Sequence, residues 1–354
     1  MSSAKPSDEE IARLRLLKQE QRAKEPAKRK KLQEPKAPDV EAEAMALKAW
    51  GLERPLIDVC ANIHGRGTFD EVKRKIDRAT LAHVDLTILT GCDLESSMKG
   101  KLYCEQWAAV EKTQKVLFTA GIHPHEASSW SRETERKVRE LTTSPYFVAL
   151  GECGLDYDRM LAPRELQQEV FRKQVSLAKE LDVPLFVHCR ERDEGPPLGA
   201  YSDLLDVLKD LEPTNVCIHC FTGNSAELEE IINFNCFLGL TGFVGIAKRA
   251  GKTIEALREA HLLDKILLET DSPFMSPDKS WLPKETTKKL GVRGGQNEPA
   301  LLPAVARALA AALTTQDNLL RPDDLAAAST KNALAFFRLP RPHLFQLAED
   351  FNRD

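Results

Sequence analysis

No stretch of this sequence approaches the ~20 consecutive apolar residues that a membrane-spanning helix needs, and no charged-then-apolar leader opens it. Secretion and membrane insertion are therefore not expected. Net charge is small, −4 over 354 residues, which excludes a strongly basic nucleic-acid coat protein but leaves room for a local basic groove. The eight cysteines are scattered instead of spaced as a disulfide framework, so a reducing compartment, a cytoplasmic or nuclear location, is expected. No Gly-x-Gly-x-x-Gly follows the first apolar run, which argues against a dinucleotide-binding doubly wound sheet. Hydrophobic content of 42% suffices for a sizeable core.

Residues 1–54 are rich in Lys, Arg, Glu, Ala and Pro and poor in aromatic and β-branched residues. Such a segment buries too little apolar area to offset its ordering entropy, and a mostly disordered charged extension is expected. Its run Lys28-Arg29-Lys30-Lys31 has the character of a contact for nucleic acid or an import receptor; a solvated tail is the plainer reading. Residues 55–339 are expected to form one domain and residues 340–354 a loosely attached tail.

Within that domain short apolar runs alternate with helix-like stretches. The runs are Leu56–Ala61, Asp85–Leu89, Val116–Ala120, Phe147–Leu150, Pro184–Val187, Val216–Ile218, Phe237–Leu240 and Ile266–Leu268. Between and after them, periodic segments such as Phe69–Leu81, Arg132–Leu141, Pro163–Leu181, Ala300–Leu313 and Asp323–Phe337 read as amphipathic helices. The alternation predicts βαβ units, and eight of them predict an α/β fold of the (β/α)₈ TIM-barrel type. The non-periodic stretch Ser276–Gln296 is too long for a simple connection and reads as a functional lid.

The chemistry lies in the residues just past each run. Runs three to six end in Gly121-Ile-His-Pro-His125, Gly151-Glu-Cys-Gly-Leu-Asp156, Val187-His-Cys-Arg190 and Ile218-His-Cys-Phe-Thr-Gly223, and run eight ends in Glu269-Thr-Asp-Ser-Pro273. In a parallel barrel these ends gather on one face, where active sites sit. His123, His125, Glu152, His188, His219, Glu269 and Asp271 would line one mouth. Residues two apart on a strand share a face, so Glu269 and Asp271 are expected to point the same way, and two adjacent carboxylates demand a compensating cation. Imidazoles with carboxylates are a ligand set for Zn²⁺, Mn²⁺ or Mg²⁺. A lone histidine after a strand is more often a hydrogen-bonded rim residue; five of the chain's eight at strand ends are not explained that way. Cys217 and Cys220 flank His219 but lack the second pair of a structural zinc site.

Taken in order with Asn297-Glu-Pro299, these segments resemble the signature series of the TatD family of metal-dependent deoxyribonucleases, from about Leu56 to Phe337. The resemblance implies an amidohydrolase-like barrel, one or two divalent ions, and hydrolysis of DNA phosphodiester bonds, often 3′-to-5′ on single strands. It implies that Glu152, His188, His219 and Asp271 are metal ligands and that His123, His125 and Glu269 are further site residues. Two departures stand out. Many members carry His-x-His at the end of strand one, where this chain has Cys60 and Asn62. Asn62 and His64 are then the candidates for a second ion or for substrate. Gln296 precedes Asn297-Glu-Pro where the family often has Arg, and Arg293 is a nearby stand-in.

The expected mechanism is attack by a metal-activated water. Asp271 would orient that water and accept its proton, Glu269 would support it, and His123 and His125 would donate to the growing phosphate charge. Arg190 and Arg293 are candidates for substrate phosphates, and Trp130 and Phe221 for base stacking. With the first-strand histidines absent, Mg²⁺ or Mn²⁺ is expected ahead of Zn²⁺. Single-stranded DNA is the expected partner, with RNA open and a role in DNA repair or degradation. Two other readings remain at this point: a hydrolase of another ester, such as a D-aminoacyl-tRNA linkage, and a scaffold that kept the fold without catalysis.

Overall fold

The computed structural model describes residues 52–339 apart from 66, 112, 193–194, 284–295 and 317. The expectations for residues 1–51, including the basic run at 28–31, for most of the long loop and its Arg293, and for the tail 340–354 lie outside the described residues.

Eight parallel strands pair in chain order: β1 (Leu56–Ala61), β2 (Val84–Leu89), β3 (Val116–Ala120), β4 (Phe147–Asp156), β5 (Leu185–Arg190), β6 (Val216–His219), β7 (Phe237–Leu240) and β8 (Ile266–Leu268). Beyond β8 the chain returns to β1. The Asp271 N–H donates to the Cys60 carbonyl at 2.9 Å, the Asn62 N–H to the Ser272 carbonyl at 2.6 Å, and Ala61 and Ser272 form a parallel bridge. The sheet thus closes on itself, as the run-and-helix alternation predicts.

The crossovers are α1 (Phe69–Leu81), α2 (Leu94–Val110), α3 (Arg132–Leu141), α4 (Arg164–Leu181), α5 (Ala200–Leu211), α6 (Ser225–Asn233) and α7 (Ala247–Ala260), followed by α8 (Leu302–Leu313) and α9 (Pro322–Phe336). Local sequence starts several of them. Thr68 with Glu71, Asp93 with Ser96 and Asn224 with Glu227 form reciprocal capping boxes at the starts of α1, α2 and α6, each satisfying backbone N–H groups that the first helical turn leaves unpaired.

Strand alternation sorts the core into two layers. Leu185, Val187, Val216, Ile218, Ile266 and Leu268 pack with helix residues such as Leu204, Leu228 and Val305. Phe186, Cys217 and Leu267, each one residue out of phase, pack instead with Ile57, Val59, Ile88, Leu117, Ala149, Phe336 and Phe337. A layer drawn from seven strands is the barrel interior. With period two, the next interior positions along β5, β6 and β8 are His188, His219 and Glu269. Each fully buried Leu, Ile or Phe in these layers contributes about 1.5–3 kcal/mol, enough to hold polar groups where the strands deliver them.

Candidate metal centre

The site is built around one oxygen. Oε1 of Glu152, on β4, lies 2.8 Å from His219 Nε2, 3.0 Å from His188 Nδ1 and 3.3 Å from His123 Nε2. His188 and His219 are register partners on neighbouring strands, and their facing ring nitrogens are 3.3 Å apart. His123 stands just past β3, at the start of the 3₁₀ turn Pro124–Ser129. Its Nδ1 accepts the backbone N–H of His125 at 3.1 Å, which leaves the ring proton on Nε2, facing Glu152.

Electrostatics follow from burial. Glu152, Asp156, His219 and Glu269 are all buried. Burial works against the charged form of Glu152, but the imidazoles of His219, His123 and His188 outweigh it and hold the carboxyl well below its usual range. Burial likewise works against charging His219 and His188. Glu152 and Glu269 lift the first far above its ordinary value, and Asp156 and Glu152 raise the second. For His123 burial wins, and its pKa falls to about 4.

Asp271 faces this cluster from the barrel seam. Burial, reinforced by the charges of Glu152 and Glu269 against the pull of His219, pushes its carboxyl up to about 7. Its Oδ1 accepts from Asn62 Nδ2 at 3.0 Å. Glu269 lies deeper: Oε1 accepts the Cys220 N–H at 2.5 Å and sits 3.4 Å from His219 Nδ1. It fits there because position 239 is glycine; a Cβ at Gly239 would stand 2.7 Å from that same oxygen. The shared face expected for Glu269 and Asp271 does not hold. β8 ends at Leu268, and Asp271 has a left-handed backbone with φ of 49°, so the chain turns between them and aims each acid at a different neighbour.

The other expected residues fall in several places. His125 Nε2 is 2.6 Å from Asp156 Oδ2, at the edge of the cluster. His64 is buried away from it, with Nε2 3.0 Å from the Ser96 carbonyl on α2 and Gly100 close by; burial lowers its pKa to about 4. The structure does not bring His64 to the ion-binding atoms. Arg190 pairs with Asp158 at 2.8 Å. Phe221 is buried against Tyr201, so it belongs to the core and presents no face to a base.

Three residues were not singled out by sequence. Asp156 joins His125 to His188, whose Nε2 is 3.6 Å from Asp156 Oδ2; it lies four residues after Glu152 on the same strand, so strand parity carried the signal. Cys92, just past β2, donates to Asn62 Oδ1 at 3.1 Å and to Glu152 Oε2 at 3.4 Å. Asp58 accepts from the Thr270 N–H at 2.8 Å and hydroxyl at 2.6 Å. Burial raises its carboxyl to about 7, with those hydrogen bonds opposing.

These residues fit a divalent cation. His123, Glu152 and His188 offer ligand atoms within 4.8 Å of one another. Glu269 Oε2 is buried without a hydrogen-bond partner, and His188 Nε2 and His219 Nδ1 have only long contacts, 3.6 Å to Asp156 and 3.4 Å to Glu269. Several carboxylates share one pocket whose compensating partners are imidazoles, the arrangement that a cation relieves.

Residues 57–338 match the family model described as TatD related DNase. The protein named 3′-5′ ssDNA/RNA exonuclease TatD in Erwinia tasmaniensis is 34% identical over 290 residues, covering 80% of this chain and 100% of the relative. That of Yersinia pseudotuberculosis is 34% identical over 284 residues, with the same coverage. Among solved structures, a TatD-family hydrolase from Entamoeba histolytica superposes with a TM-score of 0.67 at 20% identity, over 80% of this chain and 98% of that one. A TatD homologue from Escherichia coli K12 gives 0.66 at 21%, with the same coverage. At such identity the two structures speak for the fold.

Proposed function

Because the chain belongs to the TatD-related DNase family, we propose that it is a metal-dependent hydrolase of nucleic-acid phosphodiester bonds that works from the 3′ end of single-stranded DNA, with RNA as a second substrate. The observation that carries this reading is the convergence of His123, His188 and His219 on Glu152 Oε1, with Asp271 facing them. The two bacterial relatives, named as 3′-5′ ssDNA/RNA exonucleases, support the direction and the single-stranded substrate.

Glu152, His188, His219 and Asp271 are the residues that would hold the ion, Mg²⁺ or Mn²⁺ by the oxygen-rich half of the set. When bound, a divalent ion supplies Lewis-acid polarisation of a phosphoryl oxygen and makes a neighbouring water more acidic. Asp271 would orient a water at the phosphate and accept its proton, the role of a carboxylate general base. Glu269 keeps the His219 ring in place through Nδ1, as carboxylates behind ligand histidines do. His125, its ring centroid 4.2 Å from that of His123, is assigned as a donor for the phosphate charge as it develops, while His123 keeps its one ring N–H toward Glu152. Arg190, held beside Asp158, is assigned to a more distant substrate phosphate.

The test is hydrolysis of 3′- and 5′-labelled single-stranded DNA, and of matched RNA, by chelator-treated protein with and without added Mg²⁺ or Mn²⁺. Ladder formation from the 3′ end that depends on the added ion is expected. Undiminished activity after chelation would overturn the metal-dependent reading, and products shortened from the 5′ end would overturn the polarity.

A further inference from the structure

The turn after β4 and the loop after β5 enclose a cleft of about 480 Å³ that the proposed hydrolysis leaves unused, a volume within the range of ligand sites. Met160 and Arg164 line it from the first connection, Arg192 and Leu198 from the second. These connections leave the strands that carry Glu152 and His188, and Asp156 ties the cleft wall to the metal centre: its Oδ2 stands 2.6 Å from His125 Nε2, and its Oδ1 accepts the Arg159 N–H at 2.9 Å. The second wall is pinned too. The Glu191 carboxylate accepts the backbone N–H groups of Arg192, Leu198, Gly199 and Ala200 at 2.7–3.0 Å. Arg164 is a fixed plate. Its guanidinium carbon lies 4.5 Å from the centroid of the Tyr157 ring. Nε donates to Asp203 Oδ2 and Nη1 to the Leu198 carbonyl, each at 3.0 Å, and Nη2 also donates to Asp203. Every nitrogen is engaged, one flat face is covered by Tyr157, and the side chain is still 40% exposed. What it has left to offer is its second face, and guanidinium faces stack on nucleobases. Met160 and the adjacent Leu161 are exposed large apolar side chains. The acid in the lining, Asp158, is occupied by Arg190 at 2.8 Å.

We propose that this cleft binds one nucleobase of the single-stranded substrate, stacked on the open face of Arg164 beside Met160, with Arg192 against the phosphate of the same nucleotide. The inference rests on the nucleic-acid reading of the proposed function and adds a position away from the ion. Tyr157 shows on which side it lies. It follows Asp156, which faces the imidazoles, by one residue and so points outward to the helices, its hydroxyl donating to Asp203 on α5 at 2.7 Å. A strand with one phosphate at Glu152 leaves the barrel mouth between the two connections. Stacking accepts any base, since every base has a π-face, and a phosphate contact carries no sequence information. The cleft therefore fixes the register of the strand without reading its sequence.

The test uses single-stranded oligonucleotides with one abasic site moved stepwise from the 3′ end. They are bound to the full-length protein in chelator, where the strand stays whole, and followed by fluorescence anisotropy. One abasic position is expected to weaken binding about 5- to 100-fold, the worth of one base stack, while the other positions change little. Arg164→Lys keeps a charge beside Asp203 without the plate and should abolish that positional penalty. Arg192→Ala should weaken every oligonucleotide alike and reduce the slope of log affinity against log salt by about 0.7, one phosphate contact on a single strand. No positional penalty in the wild type, or one retained in Arg164→Lys, would overturn the proposal. If Arg164→Lys does not fold, Met160→Ala at its exposed position takes its place, and an undiminished positional penalty there overturns it. Cleavage is scored separately on the same oligonucleotides with added Mg²⁺ or Mn²⁺. A positional penalty without ion-dependent cleavage leaves the cleft standing and sinks the nuclease reading; cleavage without any positional penalty does the reverse.

Discussion

Asn62 Nδ2 stands 3.0 Å from Asp271 Oδ1, so a neutral amide just past the first strand orients the acid at the far end of the barrel chain. The same amide accepts from Cys92 through its oxygen. Asn62→Ala should therefore lower kcat about 10- to 100-fold, the range seen when a supporting partner is removed from a metal site, with little change in KM. Steady-state kinetics on a single-stranded oligonucleotide checks this; an unchanged kcat would show that Asp271 needs no such partner.

Asp271→Asn separates function from stability. Turnover should fall by about 10²- to 10⁴-fold with loss of the general base. Stability should move the other way. The folded pKa of about 7 lies above the ordinary 3.8, so the folded state binds more protons through that window. The wild-type acid thus loses stability as pH rises from about 4 to 7. At pH 8, without added metal, the asparagine variant should be about 1–3 kcal/mol more stable by urea titration.

His64 gives the opposite slope. Its pKa falls to about 4 in the fold from 6.5, so the unfolded chain binds the extra proton between those values. Its contribution is intact above about pH 6.5 and is lost as pH falls toward 4, by up to about 3 kcal/mol. The stability difference between wild type and His64→Gln should shift by that amount between pH 7 and pH 4.5. A pH-independent difference would mean that His64 is not held neutral.

Asn297 holds the segment that carries Asp271. Its Nδ2 donates to the carbonyls of Thr270 at 2.7 Å and Phe274 at 2.5 Å. The next residue, Glu298, is fixed by a two-pronged pair to Arg78, both contacts 2.7 Å. Asn297→Ala leaves the buried Thr270 carbonyl short of a donor, at a cost of about 1–3 kcal/mol, and frees the exposed Phe274 segment. Activity should fall at least tenfold, a positional error at the chemistry being worth that much, while the Arg78–Glu298 pair keeps the barrel folded. Circular dichroism and nuclease assays on one preparation would show both.

Most strands were legible because both of their faces are buried: Ile266–Leu268 is wholly apolar and Leu56–Ala61 is broken only by Asp58, as parallel sheets require. α1 and α3 were legible because apolar residues recur at helical spacing on otherwise charged segments. α2 was not. Its buried stripe consists of Ser97, Gly100, Tyr103, Cys104 and Trp107, where small residues allow close packing instead of advertising hydrophobicity. β4 was read as ending at Leu150, but it continues to Asp156; its glycines and acids look like a loop and become strand only because β5 supplies hydrogen-bond partners. At the site, strand ends identified the histidines and Glu152. The roles of Cys92 and Asp58 depend on which neighbours the closing turn brings near, and single-chain periodicity carries no trace of that.

The seam between the first strand and the segment after the last one, joined by Asp271 to Cys60 and Asn62 to Ser272, makes catalysis a gauge of closure. These partners are some 210 residues apart in the chain, 211 for Cys60 and Asp271, and bringing such distant segments together costs more loop entropy than pairing neighbours. A barrel sprung open at this one joint would keep its helices and the Glu152 cluster, and would have lost only the hand that delivers the acid. In a urea series, nuclease activity should therefore disappear before the helical circular-dichroism signal does.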